Sequence, residues 1–241
     1  MEDLQSGKFC IVREKNSKIS RQDTTEIEPF SVWNLENSEL VIGKNTSLAA
    51  FQQITLKNAH LRIGDGVKIG AYTTIWAEGK QEKVTITIGN KVRIDEYCHL
   101  QCLSDLDIGE RGHLFNGVYI APFDQPFSIG EKVTFGQKMV AAGRGPLKIG
   151  RYSLFGSSTV IITENHNYKD LKRLVRKQGF RNLGVTIGSD VWIGASVTIL
   201  DGSTISSKSV IGAGSLVKGV TVRGGVYYGI PIRKSTSLER R

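Results

Sequence analysis

The stretch Val185–Val217, VTIGSDVWIGASVTILDGSTISSKSVIGAGSLV, decides the fold. Ile187, Ile193, Ile199, Ile205, Ile211 and Val217 recur every six residues, and Gly188, Gly194 and Gly212 follow three of them. A period of six fits neither the ~3.6-residue turn of a helix nor strict alternation along one long strand. It fits a chain that runs as a short strand, turns a corner and repeats, burying one aliphatic side chain on each flat side. Self-similarity at a fixed period marks a solenoid, and a six-residue period marks a parallel β-helix.

Working outward, the same register runs back to Ile42 in eight triplets, from Ile42, Leu48, Ile54 to Ile205, Ile211, Val217. Of its 24 positions 21 are Ile, Leu or Val, against about one in five from average usage. The departures are Phe135, Ala141 and Phe155, a large residue beside a small one in the first case. Extra residues enter only after the third member of a triplet: 3, 7, 2, 3, 2, 20 and 0 of them in turn. Insertion at a single phase predicts triangular coils, each three register steps long, with all loops on one edge. About eight such coils at the ~4.8 Å strand spacing make a prism of roughly 38 Å. The expected fold is therefore all-β, with one long excursion loop at 162–184. Residues 1–39 fall outside the aliphatic register and are expected to cap the first coil. The β-helix domain is placed at 40–220, and Gly224, Gly225, Gly229 and Pro231 break the pattern in a tail at 221–241.

Composition narrows the function. The net charge of +9 points to an anionic partner, but no helix-turn-helix, zinc-finger or aromatic RNA-binding pattern supports nucleic acid. No run of 18 apolar residues is present, and the N-terminal stretch lacks the pattern of a secretory signal. Three widely spread cysteines, Cys10, Cys98 and Cys102, predict buried thiols in a reducing cytoplasm rather than a disulfide framework. His60, His99 and His113 each precede an inward aliphatic and should face outward. Even the nearest two of the four histidines, His99 and His113, are too far apart for a ligand pair on one short segment, so no metal site is expected.

The residues 185–220 resemble the C-terminal signature of hexapeptide-repeat acyltransferases. More narrowly NHNY, RKQGF, VWIGA and a late GIP resemble bacterial sugar O-acetyltransferases that modify capsule and lipopolysaccharide. The resemblance implies a left-handed β-helix, a homotrimer with sites between subunits, and acetyl-CoA as co-substrate. Two positions depart from the pattern: Gly229-Ile230-Pro231-Ile232 replaces Gly-Asn-Pro-Ala, and Ser206-Ser207 replaces a glycine-containing turn.

His166, at the root of the long loop, matches the catalytic histidine of that family. Neutral imidazole suits removal of a proton from a hydroxyl near neutral pH. Glu164 and Asn165 are candidates to orient the ring or position the acceptor. Trp192, Lys177 and Gln178 are assigned to the acceptor and acetyl pocket; Trp192 alternatively packs between subunits. Ala195-Ser196 and Ala213-Gly214 are separated by three register steps, one coil, and should stack where a pantetheine arm can approach the main chain. Lys218, Arg223 and Lys234 are candidate partners for coenzyme A phosphates. The 20-residue insertion carries Lys169, Lys172, Arg173, Arg176, Lys177 and Arg181, a charge that suits an acidic acceptor such as a sialic-acid-containing polymer. The expected activity is O-acetylation of a bacterial surface glycan or its precursor. The alternatives are N-acetylation of an amino sugar nucleotide and a non-catalytic assembly module. The expected partners are the glycan, two further copies of the chain and, peripherally, the inner membrane or glycan-synthesis machinery.

Overall fold

The computed structural model describes residues 10–237. Three parallel sheets of ten, nine and eleven strands form the faces of a triangular prism, with successive strands passing from face 1 to face 2 to face 3. The third sheet includes one antiparallel strand, added at the C-terminal end. Within the prism each parallel strand pairs with the strands one coil before and after it, as in Ile54 beside Ile75 and Ile75 beside Leu100 on face 1. The coil is left-handed.

Every one of the 24 register positions is buried, none more than 4 % exposed. Face 1 stacks Ile120, Ala141 and Ile161 in register, and face 3 stacks Leu114, Phe135 and Phe155. Phe135 meets Phe155 edge-on at 5.1 Å, so the two rings fill the width that Ala141 leaves on the neighbouring face. All loops leave from the edge between faces 1 and 2, including 79–83 and 163–184, as the insertion phase requires.

The coil count is about ten, not eight. Residues placed in a cap are themselves coiled: Ile11–Lys15 pairs with Val32–Glu36, Lys18–Arg21 with Glu39–Ile42, and Glu26–Ile27 with Ser47–Leu48. The six-residue spacing continues through Arg21, Ile27 and Trp33, but two of these are not aliphatic. Trp33 is 2 % exposed, whereas Arg21 is half-buried near the open end of the prism. At the other end, Gly225–Tyr228 adds a further strand to face 3, with Tyr227 inward above Ile211. Arg233–Ser237 then folds back antiparallel against it and covers the terminal edge.

Corners between faces 3 and 1 hold residues in the left-handed region. Phe30, Phe51, Tyr72 and Tyr97 occupy this position on four successive coils, and their rings stack at 4.8–5.1 Å, matching the rung spacing. Farther along the same edge the corner position holds Gly117, Lys138, Ser158, Ser196 and Gly214. A Cβ on Gly194 would lie 2.5 Å from the backbone nitrogen of Ala213, so only glycine lets these rungs close up.

Candidate active site

The long excursion is an ordered hairpin. Asn165–His166 pairs antiparallel with Phe180–Arg181, placing Asn165 opposite Arg181 and His166 opposite Phe180. A 3-10 turn at Val175–Lys177 closes the far end. The side chains of Leu171, Leu174 and Val175 there are exposed rather than packed on the prism. Gln178 ties the loop together: its amide donates to the carbonyls of Asp170 and Arg173, both at 2.9 Å, and accepts from the Asp170 amide at 3.1 Å. The strand returning to the prism is anchored by buried Asp201, which accepts from the Gly184 amide at 2.8 Å and faces the Arg181 guanidinium at 3.3 Å.

His166 is exposed on a cleft of 550 Å³ at the edge between faces 1 and 2, lined also by Glu164, Asn165, Arg181, Asp201 and Lys218. Its ring lies 4.4 Å from that of Phe180, and the Arg144 guanidinium lies 4.5 Å over Phe180. Arg144 in turn donates to both carboxylate oxygens of Asp124 at 3.0 Å and sits 3.2 Å from Glu164. The Arg144–Glu164 approach is an ion pair without an aligned hydrogen bond. Glu164 thus faces Arg144, and no hydrogen bond joins it to His166 among the described residues. The signal for this cluster lay in the spacing: Asp124, Arg144 and Glu164 follow one another at equal intervals, one coil each, at the same corner.

The other assigned residues fall into groups. Lys218 shares the cleft with His166, as does Gln178, although the Gln178 amide is engaged within the loop. Lys177 is exposed at the loop tip. Trp192 is 59 % exposed on face 3, in register with Leu154 and Val210, opposite the edge that carries His166. Ala195, Ser196, Ala213 and Gly214 lie on the edge between faces 3 and 1 and stack as expected, with the Gly214 amide donating to the Ala195 carbonyl at 2.9 Å. Lys234 lies in the capping strand just past the turn at that same edge, whereas Arg223 stands beside Ser207 at the edge between faces 2 and 3. In one chain, therefore, the histidine and the small-residue crevice occupy different edges.

The remaining histidines lie half-buried on three different faces. His60 faces Glu39 at 3.3 Å, and His113 faces Asp95 at 3.0 Å. His99 contacts the Thr74 hydroxyl and stacks on Tyr119, and burial lowers its pKa. Among the described residues no group of three or more His, Cys, Asp or Glu is placed to hold a metal ion. Cys98 and Cys102 are buried thiols whose pKa values burial raises, that of Cys98 to about 11.

Fold and site together define a left-handed parallel β-helix with a six-residue register and a histidine-bearing hairpin at one edge. The family model for the bacterial transferase hexapeptide (six repeats) matches residues 184–219. Over these residues the chain is similar to the hexapeptide-repeat transferases. It is 28 % identical over 131 residues to a probable acetyltransferase of Mycobacterium tuberculosis, a match covering 54 % of this chain and 44 % of the relative. It is 41 % identical over 70 residues to the galactoside O-acetyltransferase of Lactococcus lactis, covering 29 % and 32 %. The chain thus spans less than half the length of these curated relatives. A crystal structure of the polySia specific acetyltransferase NeuO superposes with a TM-score of 0.51 at 19 % identity, covering 97 % of this chain and 83 % of that one, a likeness of fold.

Proposed function

We propose that this chain is an acetyl-CoA-dependent O-acetyltransferase acting on a sugar hydroxyl of a bacterial surface polysaccharide or its precursor. The observation that carries the reading is His166, held by an ordered hairpin over a 550 Å³ cleft on the edge where the coil admits long insertions. The hexapeptide match over 184–219 and the likeness to a galactoside O-acetyltransferase support this reaction class.

The crevice along Ala195, Ser196, Ala213 and Gly214 suits the pantetheine arm. Its small side chains leave the main chain approachable, and a Cβ on Gly214 would meet nothing within 4 Å. Lys234, at the same edge, is the assigned cation best placed for the phosphates. Because this crevice and His166 lie on different edges, a complete site takes one edge from each of two chains, as in a homotrimer. Trp192 then contributes from the adjoining face. Lys169, Lys172, Arg176 and Lys177 form no ion pair among the described residues, so the hairpin offers uncompensated positive charge to an acidic acceptor such as a sialic-acid-containing polymer.

In the reaction, neutral His166 accepts the proton of the sugar hydroxyl as its oxygen bonds to the thioester carbonyl carbon. A backbone or Trp192 N–H steadies the oxyanion that forms. The intermediate collapses by breaking the C–S bond, and His166 returns the proton to the departing thiolate. No acyl-enzyme is needed. The test is incubation with acetyl-CoA and a panel of glycans, following free thiol and product mass. Acetyl groups cleaved by mild alkali identify an ester and support the reading. Alkali-stable acetyl groups would instead identify an amide.

A further inference from the structure

The edge between faces 1 and 2 carries a second cleft, of 420 Å³. One wall is the 79–83 excursion, the other long insertion in the register. Asn58 pins this wall at its root: its Nδ2 donates to the carbonyls of Gly79 at 3.1 Å and Glu82 at 3.4 Å, and its own carbonyl accepts from the Val84 amide at 3.2 Å. Gly79 is demanded there, because a Cβ would lie 2.2 Å from the Glu82 carbonyl. The excursion is therefore a held wall, not a slack loop. Beyond it the cleft runs over the next two rungs, past Ser104 and Asp105 to Phe123 and Asp124.

Asp124 joins this cleft to the first. It lines the second cleft and binds Arg144, whose other carboxylate partner, Glu164, lines the cleft of His166. From the strand before the 79–83 wall to the strand before His166 there are four rung steps on face 1. That separation is about 19 Å at the strand spacing, the reach of a short oligosaccharide and well beyond one sugar ring. The chemistry suits such a ligand. Phe123 is half-buried and presents an apolar surface, while Lys80, Gln81 and Lys83 line the same cleft with side-chain donors that no other described residue accepts. A pyranose ring is apolar on its C–H faces and polar around its rim. The acids on the floor are already engaged, Asp105 by the Thr85 amide at 2.7 Å and Asp124 by Arg144.

We infer that the two clefts form one acceptor groove, with the 79–83 cleft holding sugars several units from the hydroxyl acetylated at His166, so that the substrate is a glycan chain and not a single sugar or sugar nucleotide. This rests on the O-acetyltransferase reading above. The test measures kcat/KM with acetyl-CoA for a size-fractionated ladder, monosaccharide to hexasaccharide, cut by mild acid from the source organism's own surface polysaccharide. Efficiency should climb with length until the chain reaches the second cleft and then level off. The ratio of hexasaccharide to monosaccharide efficiency should drop about tenfold in Phe123→Ala, as expected for truncating a buried contact. The double variant Lys80→Ser, Lys83→Ser should lower that ratio as well. Lys68→Ala, on the opposite face, should leave it unchanged. Transfer that is equal for every length, or a length dependence that neither cleft variant alters, would overturn the groove while leaving the acetyltransferase reading standing. Absence of transfer to any member of the ladder would overturn both.

Discussion

Replacing Arg144 by Gln tests how the histidine is held. The guanidinium binds both oxygens of Asp124 at 3.0 Å, approaches Glu164 at 3.2 Å and lies 4.5 Å over Phe180, the ring that meets His166. All three charged side chains are partly exposed, so each ion pair contributes only about 0.2–1 kcal/mol. The cation–π contact adds about 0.5–1 kcal/mol. The Asp124 pair joins two prism residues, so only the Glu164 and Phe180 contacts favour docking; together they give the docked hairpin about 1.4 kcal/mol, a tenfold shift in its population. Arg144→Gln should therefore lower kcat by about tenfold or more, with the KM for acetyl-CoA little changed because the small-residue crevice lies on another edge. Arg144→Lys should recover part of the loss, since it keeps the charge without the planar guanidinium that reaches Asp124 and Glu164 through different nitrogens. Trypsin cleavage within 169–177, followed by mass spectrometry, should accelerate in parallel with the loss of kcat. An Arg144→Gln protein with unchanged kcat and unchanged cleavage would refute the reasoning. A fall in kcat without faster cleavage would show that Arg144 acts by some route other than holding the hairpin.

Other outcomes follow from the core and from charge. Phe135 is fully buried between rungs, so Phe135→Ala should cost about 3–5 kcal/mol in reversible denaturation. Burial raises the Cys98 thiol from 9.0 to about 11, so the folded chain keeps a proton that the unfolded chain releases. Its contribution is complete below about pH 9 and is lost as pH rises toward 11, so the unfolding free energy should decline across that window. Cys98→Ala should show a shallower decline in the same titration. If the acceptor is anionic, its KM should rise with added salt because the hairpin cations are exposed, and a KM indifferent to salt would assign those cations another role.

Most of the prism is legible in the sequence because a coil's interior admits one kind of side chain per rung. All 24 aliphatic-register positions are core, including the large-beside-small pair of Phe135 and Ala141. The first coils escaped because Arg21 and Trp33 occupy register positions without being aliphatic. An indole fills a rung as well as isoleucine does, and a guanidinium is tolerated near an open end. The site was legible in part. His166 stood out by its loop, and the stacking of Ala195 over Ala213 followed from coil length. The partner of Glu164 was legible only as the equal spacing of positions 124, 144 and 164, because Arg144 sits in the unremarkable run AAGRGP and gains meaning when successive coils bring the three together. The separation of Trp192 from His166 was likewise hidden. Their distance along the chain gives no sign of which prism face each will occupy until the excursion is counted out of the register.

One comparison bears most directly on acetyl transfer by this histidine. Wild-type and His166→Ala proteins would be given acetyl-CoA and the glycan ladder, with thiol release, ester formation and coenzyme A binding measured on both. The account predicts ester in step with thiol for the wild type. For the variant it predicts a loss of about a hundredfold or more with coenzyme A binding retained. Ester formation by the variant at the wild-type rate would contradict it.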